Sequence, residues 1–126
     1  MPSSLGRLKI TIEPLNESCV IRARGELDRS TANGLRAALD AARADGVTTL
    51  LDLSAVSFID SAGLRVLLRT ARAADAHHWG CFIVRASSVV RRLVEVSGTT
   101  SRLPLVAPPG SERIATPTTA AQHFAG

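Results

Sequence analysis

Ser61 is the side chain whose type and position are best suited to chemistry. Residues 50–64 read as an apolar strand that runs through a short polar turn into a helix starting at Ser61. At such a junction the backbone N–H groups of the first helical turn lack intrahelical partners, and the positive end of the helix dipole favours an anion. The hydroxyl is flanked by Asp60, and a strand-to-helix turn would present it to a kinase. Once phosphorylated, it would gain roughly −1.5 to −2 charges at pH 7. From spacing alone two readings stand side by side: a phosphate acceptor, or an ordinary helix-start residue.

A third use of Ser61 is nucleophilic. Serine followed two residues later by glycine is half of the nucleophile elbow of serine hydrolases, but Ile59 stands where that sharp turn needs a small residue. A base would have to come from His77, His78 or His123, and their positions imply no triad. Phosphate loops, dinucleotide-binding glycine patterns, H-E-x-x-H and Cys/His sets at zinc spacing are all missing, so neither a metal nor another cofactor is expected. The expectation is a binding protein and not an enzyme.

The net charge of +4 and isoelectric point near 10.4 come almost wholly from arginine, Lys9 being the only lysine. The arginines are scattered over at least four segments, with one Trp, three Phe and no Tyr between them, which argues against a nucleic-acid surface. Arg65, Arg69 and Arg72 share a helix face, read as a solvated stripe; a partner with an acidic surface is a further use for it. Apolar runs are too short to span a bilayer, and the first residues show no secretory pattern, so a soluble, cytoplasmic protein is expected. Cys19 and Cys81 sit in strand-like patterns and read as buried thiols of a reducing compartment.

The 126 residues suffice for one core, and the mean hydropathy of +0.15 suits a globular chain. Leu8, Ile10 and Ile12, then Cys19, Ile21 and Ala23, alternate with polar positions on either side of Pro14-Leu15-Asn16-Glu17, which predicts an antiparallel hairpin with one face covered. From Asp28 the period lengthens, with Ala32, Leu35, Leu39 and Ala42 on one helical stripe, Asp28 or Ser30 as its cap and Gly46 as its end. Val47 to Leu53 reads as a central strand covered on both faces, followed by a short polar turn. Leu64, Leu67, Leu68 and Ala71 form the inward stripe of a second helix, Cys81 to Val84 a further strand, and Val89, Val90, Leu93 and Val96 the stripe of a third helix ended by Gly98. A last short strand is placed near Leu105 and Val106. The order β-β-α-β-α-β-α predicts an α/β fold: a mixed central sheet with an N-terminal antiparallel hairpin and packed helices. Residues 107–126, with three prolines and no sustained period, read as a flexible tail.

The run Asp60-Ser61-Ala62-Gly63-Leu64, following Leu51-Asp52-Leu53-Ser54, resembles the phosphorylated motif of the STAS-domain anti-sigma factor antagonists of bacteria. Gly25-Glu26-Leu27-Asp28 is similar to the segment these proteins carry before their first helix, and residues 90–98 with Leu103-Pro104-Leu105 are similar to their third helix and final strand. The resemblance covers about residues 5–106, a single STAS-like domain, and leaves the tail outside. It implies a partner-switching protein that binds a serine-kinase anti-sigma factor when unphosphorylated, is released by phosphorylation at Ser61, and is reset by a serine phosphatase. Carried over by position, Ser61 is the phospho-acceptor, and Glu26, Asp28, Asp60, Ala62 and Gly63 join it in the partner-binding set. Asp28 is equally explained as a helix cap and Gly63 as a point of close backbone approach. Ala62 departs from the second serine of many relatives, leaving one acceptor. The alternative within the same fold is an unphosphorylated STAS scaffold subunit of a transport or stress-sensing assembly.

Overall fold

Asn16 turns the chain back on itself. Its left-handed φ of 56°, which asparagine tolerates, joins β1 (Leu8–Leu15) to β2 (Ser18–Leu27) through a two-residue connection, Leu15 standing opposite Ser18. The turn is therefore narrower than Pro14-Leu15-Asn16-Glu17, and Pro14 sits in edge strand β1, where a missing N–H is tolerated. The computed structural model describes residues 7–106, so the expected tail at 107–126 lies outside the described residues.

After the hairpin come α1 (Ala32–Ala44), β3 (Thr48–Ile59), α2 (Ser61–His77), β4 (Cys81–Ala86), α3 (Ser88–Ser97) and a 3₁₀ turn (Thr100–Arg102). The sheet order is β1-β2-β3-β4, antiparallel across the first pair and parallel across the other two. Leu105 extends it by a single parallel bridge to Ile83, so the expected last strand is one bridge long. Strands laid down in spatial order with right-handed crossovers send every connecting helix to the same face. Burial agrees: Cys19, Ile21, Ala23, Leu51, Leu53, Cys81 and Ile83 point into one core with Leu35, Leu39, Leu64, Leu67, Val90 and Val94, whereas Arg22, Arg24 and Ser54 remain exposed.

Three expectations need correction here. β3 is not covered on both faces, since Leu50 is half-buried; Asp52 on that side is buried because it lies beneath the Arg22 guanidinium. Nor does β3 end at Leu53 in a polar turn. It continues to Ile59 because β2 runs alongside it as far as Leu27, two irregularities absorbing the extra residues. In α3 the buried stripe is Val90, Leu93 and Val94, while Val89 and Val96 face solvent, Val96 at 77% exposure; the core lies about one residue around the helix from the expected face. A smaller difference concerns Ile12, which is exposed near the hairpin tip, where β1 is an edge strand.

The helix stops follow local chemistry. Gly46 takes φ 69° beyond α1, and the N–H groups of Gly46 and Val47 return to the carbonyls of Arg43 and Ala42. Gly98 does the same for α3 at φ 74°. Trp79, just beyond α2, is buried and donates its indole N–H to the Val47 carbonyl at 2.9 Å, tying the end of α2 to the start of β3.

Candidate functional site

The parallel register of β2 and β3 places Leu27 opposite Ile59, so the residues that follow each strand emerge together at one end of the sheet. Asp60 is the hinge of that end. Its N–H donates to the Leu27 carbonyl at 3.3 Å and its own carbonyl accepts the Leu64 N–H at 3.0 Å, so the chain passes from sheet to helix within one residue. The carboxylate completes the junction: Oδ1 accepts the N–H groups of Ala62 at 2.9 Å and Gly63 at 3.1 Å, and Oδ2 accepts the Arg29 N–H at 3.3 Å. Asp60 is thus the cap of α2. Ser61 is the first helical residue, exposed, with its cap already supplied by a neighbour.

Gly63 is buried against the preceding strands. A Cβ there would stand 2.7 Å from the Leu27 carbonyl oxygen, 2.8 Å from Leu27 Cγ and 2.9 Å from Ile59 Cγ1. The close approach lets α2 start directly against β2 and β3, with Ser61 on the outside and Ala62 half-buried beside it.

The Glu26-Leu27-Asp28 segment forms the adjoining wall. Asp28 Oδ1 accepts the Ser30 N–H at 2.9 Å, the Ser30 hydroxyl at 2.7 Å and the Thr31 N–H at 3.2 Å, and Oδ2 accepts the Arg7 guanidinium. These hydrogen bonds, the one from the Ser30 hydroxyl foremost, together with the Arg7 charge hold the Asp28 carboxyl below its ordinary pKa despite burial. Neither Asp28 nor Ser30 is the N-cap of α1; that position is Thr31. Asp28 instead closes the turn ahead of the helix, because Thr31 turns its hydroxyl back onto the Glu26 carbonyl at 2.7 Å and leaves the incoming N–H groups to the carboxylate.

Arg7 belongs to this wall although no motif in the sequence marks it. Its Nε reaches Glu26 Oε1 at 3.3 Å while its Nη2 holds Asp28, so one guanidinium spans both acids. The signal was the hairpin register: Leu8 opposite Gly25 puts Arg7 beside Glu26. The structure therefore brings Asp28, Asp60, Ser61, Ala62 and Gly63 to one end of the sheet, and Glu26 joins them through Arg7.

No histidine among the described residues lies near Ser61. His77 and His78 lie at the far end of α2, about 24 Å from Ser61 at 1.5 Å per residue, and His123 is outside the described residues. Among the described residues no group of acidic, His and Cys side chains is arranged to hold a metal. Arg65, Arg69 and Arg72 are all exposed along α2. No helix among the described residues is long and apolar enough to cross a membrane. Cys19 and Cys81 are free and buried, two strands apart on either side of Thr49, about 9.5 Å at ordinary strand spacing and beyond disulfide reach.

Comparison with known proteins bears on the whole domain. Residues 10–107 match the family model described as "Mlab, STAS domain". The anti-sigma-F factor antagonist RsfB of Mycobacterium tuberculosis is 34% identical over 93 residues, which make up 72% of this chain and 75% of RsfB. Among solved structures, an anti-sigma factor antagonist from Mycobacterium paratuberculosis superposes with a TM-score of 0.71 at 28% identity, covering 94% of this chain and 95% of the other. SpoIIAA, an anti-sigma factor antagonist solved in its unphosphorylated form, gives a TM-score of 0.65 at 26% identity over 84% of this chain and 93% of its own. SpoIIAA of Bacillus has also been solved in its phosphorylated form, with a TM-score of 0.62 at the same identity, over 84% of this chain and 96% of its own.

Proposed function

This chain belongs to the STAS-domain family of anti-sigma factor antagonists, and from that premise we propose that it is a partner switch whose phosphorylated residue is Ser61. Unphosphorylated, it binds a cytoplasmic anti-sigma factor of the serine-kinase type and so frees a sigma factor. The kinase transfers phosphate from ATP to the Ser61 hydroxyl, and a serine phosphatase removes it. The observation that carries the reading is the exposed hydroxyl of Ser61, set on a junction that Asp60 and Gly63 make rigid.

Electrostatics supports a switch that acts on the interface and spares the fold. Within the domain, a phosphate on Ser61 gains about 0.3–1 kcal/mol from the N-terminal end of α2 and loses part of it to Asp60, which already occupies the Ala62 and Gly63 N–H groups. Against a docked partner the same charge is desolvated without a counter-ion, at a cost of about 2–5 kcal/mol, or roughly 30- to 5,000-fold in affinity. Glu26, Asp28, Asp60 and Ala62 complete the contact surface, Gly63 beneath them seating α2 against the strands and Arg7 fixing the two acids in place.

The experiment is intact-mass measurement after incubation with ATP and each anti-sigma kinase of the same genome, alongside pull-downs with Ser61→Ala and Ser61→Asp. One phosphate on the wild type, none on Ser61→Ala, and loss of the kinase by Ser61→Asp are expected. No phosphate from any of these kinases, with binding indifferent to Ser61→Asp, would replace this reading by the scaffold role.

A further inference from the structure

The sheet face that carries no helix holds a charge arrangement that folding alone disfavours. The register of β1 and β2 sets Lys9 directly opposite Arg24, both exposed, and neither makes an ion pair among the described residues. Like charges facing each other across a strand pair are destabilising. The cations on either side are already matched: Arg22 to Glu13 at 2.7 Å and to Asp52 at 3.3 Å, Arg7 to Glu26 and Asp28. Lys9 and Arg24, with Thr11, Arg22, Asp52 and Ser54, line a depression of about 180 Å³. At its rim β3 spends three steps, Asp52 to Ala55, where β2 spends two, Arg22 to Arg24. Such bulges re-aim side chains and recur beside binding sites.

We infer that this depression seats a single carboxylate side chain from a segment of a partner protein lying across the open sheet face. The positive spot is one row deep, bounded by Glu13 and Asp52 on one side and Glu26 on the other. A nucleic-acid backbone would carry its next phosphates onto those carboxylates, whereas an isolated Asp or Glu in an otherwise uncharged segment meets the unmatched Lys9 and Arg24 beside the Arg22–Asp52 pair, with the Thr11 hydroxyl nearby; the Ser54 hydroxyl is already given to Asp52 at 2.7 Å. The site opens on the bare sheet face, one row from Glu26 at the margin of the Ser61 junction, and its binding needs no phosphate on Ser61.

The test uses the full chain labelled with ¹⁵N and a blocked peptide with one glutamate in a neutral, strand-forming sequence, its glutamine counterpart, and a short single-stranded oligodeoxynucleotide. The glutamate peptide is expected to shift the amides of Lys9, Thr11, Arg24 and Ser54 and to bind about two- to fivefold more tightly than the glutamine peptide. K9Q/R24Q and K9E/R24E abolish that preference, and R65E/R69E, which reverses the other basic stripe, keeps it. Equal binding of the two peptides, shifts confined to α2, or tighter binding of the oligodeoxynucleotide at these amides would overturn the inference.

Discussion

Asp60 and Arg29 are joined across the end of the sheet: the Asp60 Oδ2 oxygen accepts the Arg29 backbone N–H at 3.3 Å, while the other oxygen caps α2. One carboxylate therefore starts a helix and holds the turn that leaves β2. The consequence for Ser61 is direct. Its hydroxyl projects from a junction where Asp60 already holds the Ala62 and Gly63 N–H groups, so added charge is presented outward.

Asp60→Ala should cost about 0.5–2 kcal/mol, the usual loss on removing a helix cap, and Asp60→Asn much less, because asparagine caps almost as well. Urea unfolding followed by Trp79 fluorescence reports both, since Trp79 is the single tryptophan and is buried in the native state. Equal stability of Asp60→Ala and wild type would remove Asp60 from its structural role.

Gly63→Ala tests the close approach. A methyl group placed 2.7–2.9 Å from Leu27 and Ile59 must push α2 away from the sheet, and a loss of about 1–3 kcal/mol is expected from overpacking. Ala62→Gly offers the contrast, because it adds no atom at the junction and costs only about 1 kcal/mol of helix propensity. Thermal melts that rank the two the other way would contradict the packing described.

Acid should expose the buried carboxylates. Asp28 and Asp52 both have folded pKa values below their ordinary ones; for Asp52 burial alone would raise it, but the Ser54 hydrogen bonds and Arg22 outweigh that. A depressed folded pKa stabilises the native state above the unfolded pKa of about 3.9, and this contribution disappears as pH falls through the folded value. Stability should therefore drop below about pH 4, and Asp28→Asn with Asp52→Asn should flatten that drop in unfolding curves measured between about pH 2 and 7.

The Cys81 thiol should be silent in the folded protein. Burial pushes Cys81 up to about 12, so almost no thiolate forms at neutral pH. A thiol-reactive chromogen at pH 8 should titrate Cys81 only in denaturant, and a Cys81→Ser variant should remove one equivalent from the denatured count. Rapid reaction of Cys81 in the native protein would mean that β4 opens readily.

Much of this protein can be read from local pattern. The alternation of Cys19, Ile21 and Ala23, the stripe of Leu35 and Leu39, and the glycines at 46 and 98 announce strand, helix and stop, because side-chain period and backbone torsion are properties of short segments. Asp60-Ser61-Ala62-Gly63 and Glu26-Leu27-Asp28 were likewise visible as two separate motifs. That they are neighbours was decided by the β2/β3 register, in which Leu27 meets Ile59, and that register is a ladder between backbones 30 to 32 residues apart. The same ladder lengthened β3 through the exposed Ser54, Ala55 and Ser57, whose side chains give no sign of a strand. The facing of α3 and the grip of Arg7 on Glu26 and Asp28 also depended on contacts between distant segments. Short-range torsional and periodic preferences write elements into a sequence; which elements meet, and with what offset, is settled only when their backbones pair and their apolar faces close on a common core.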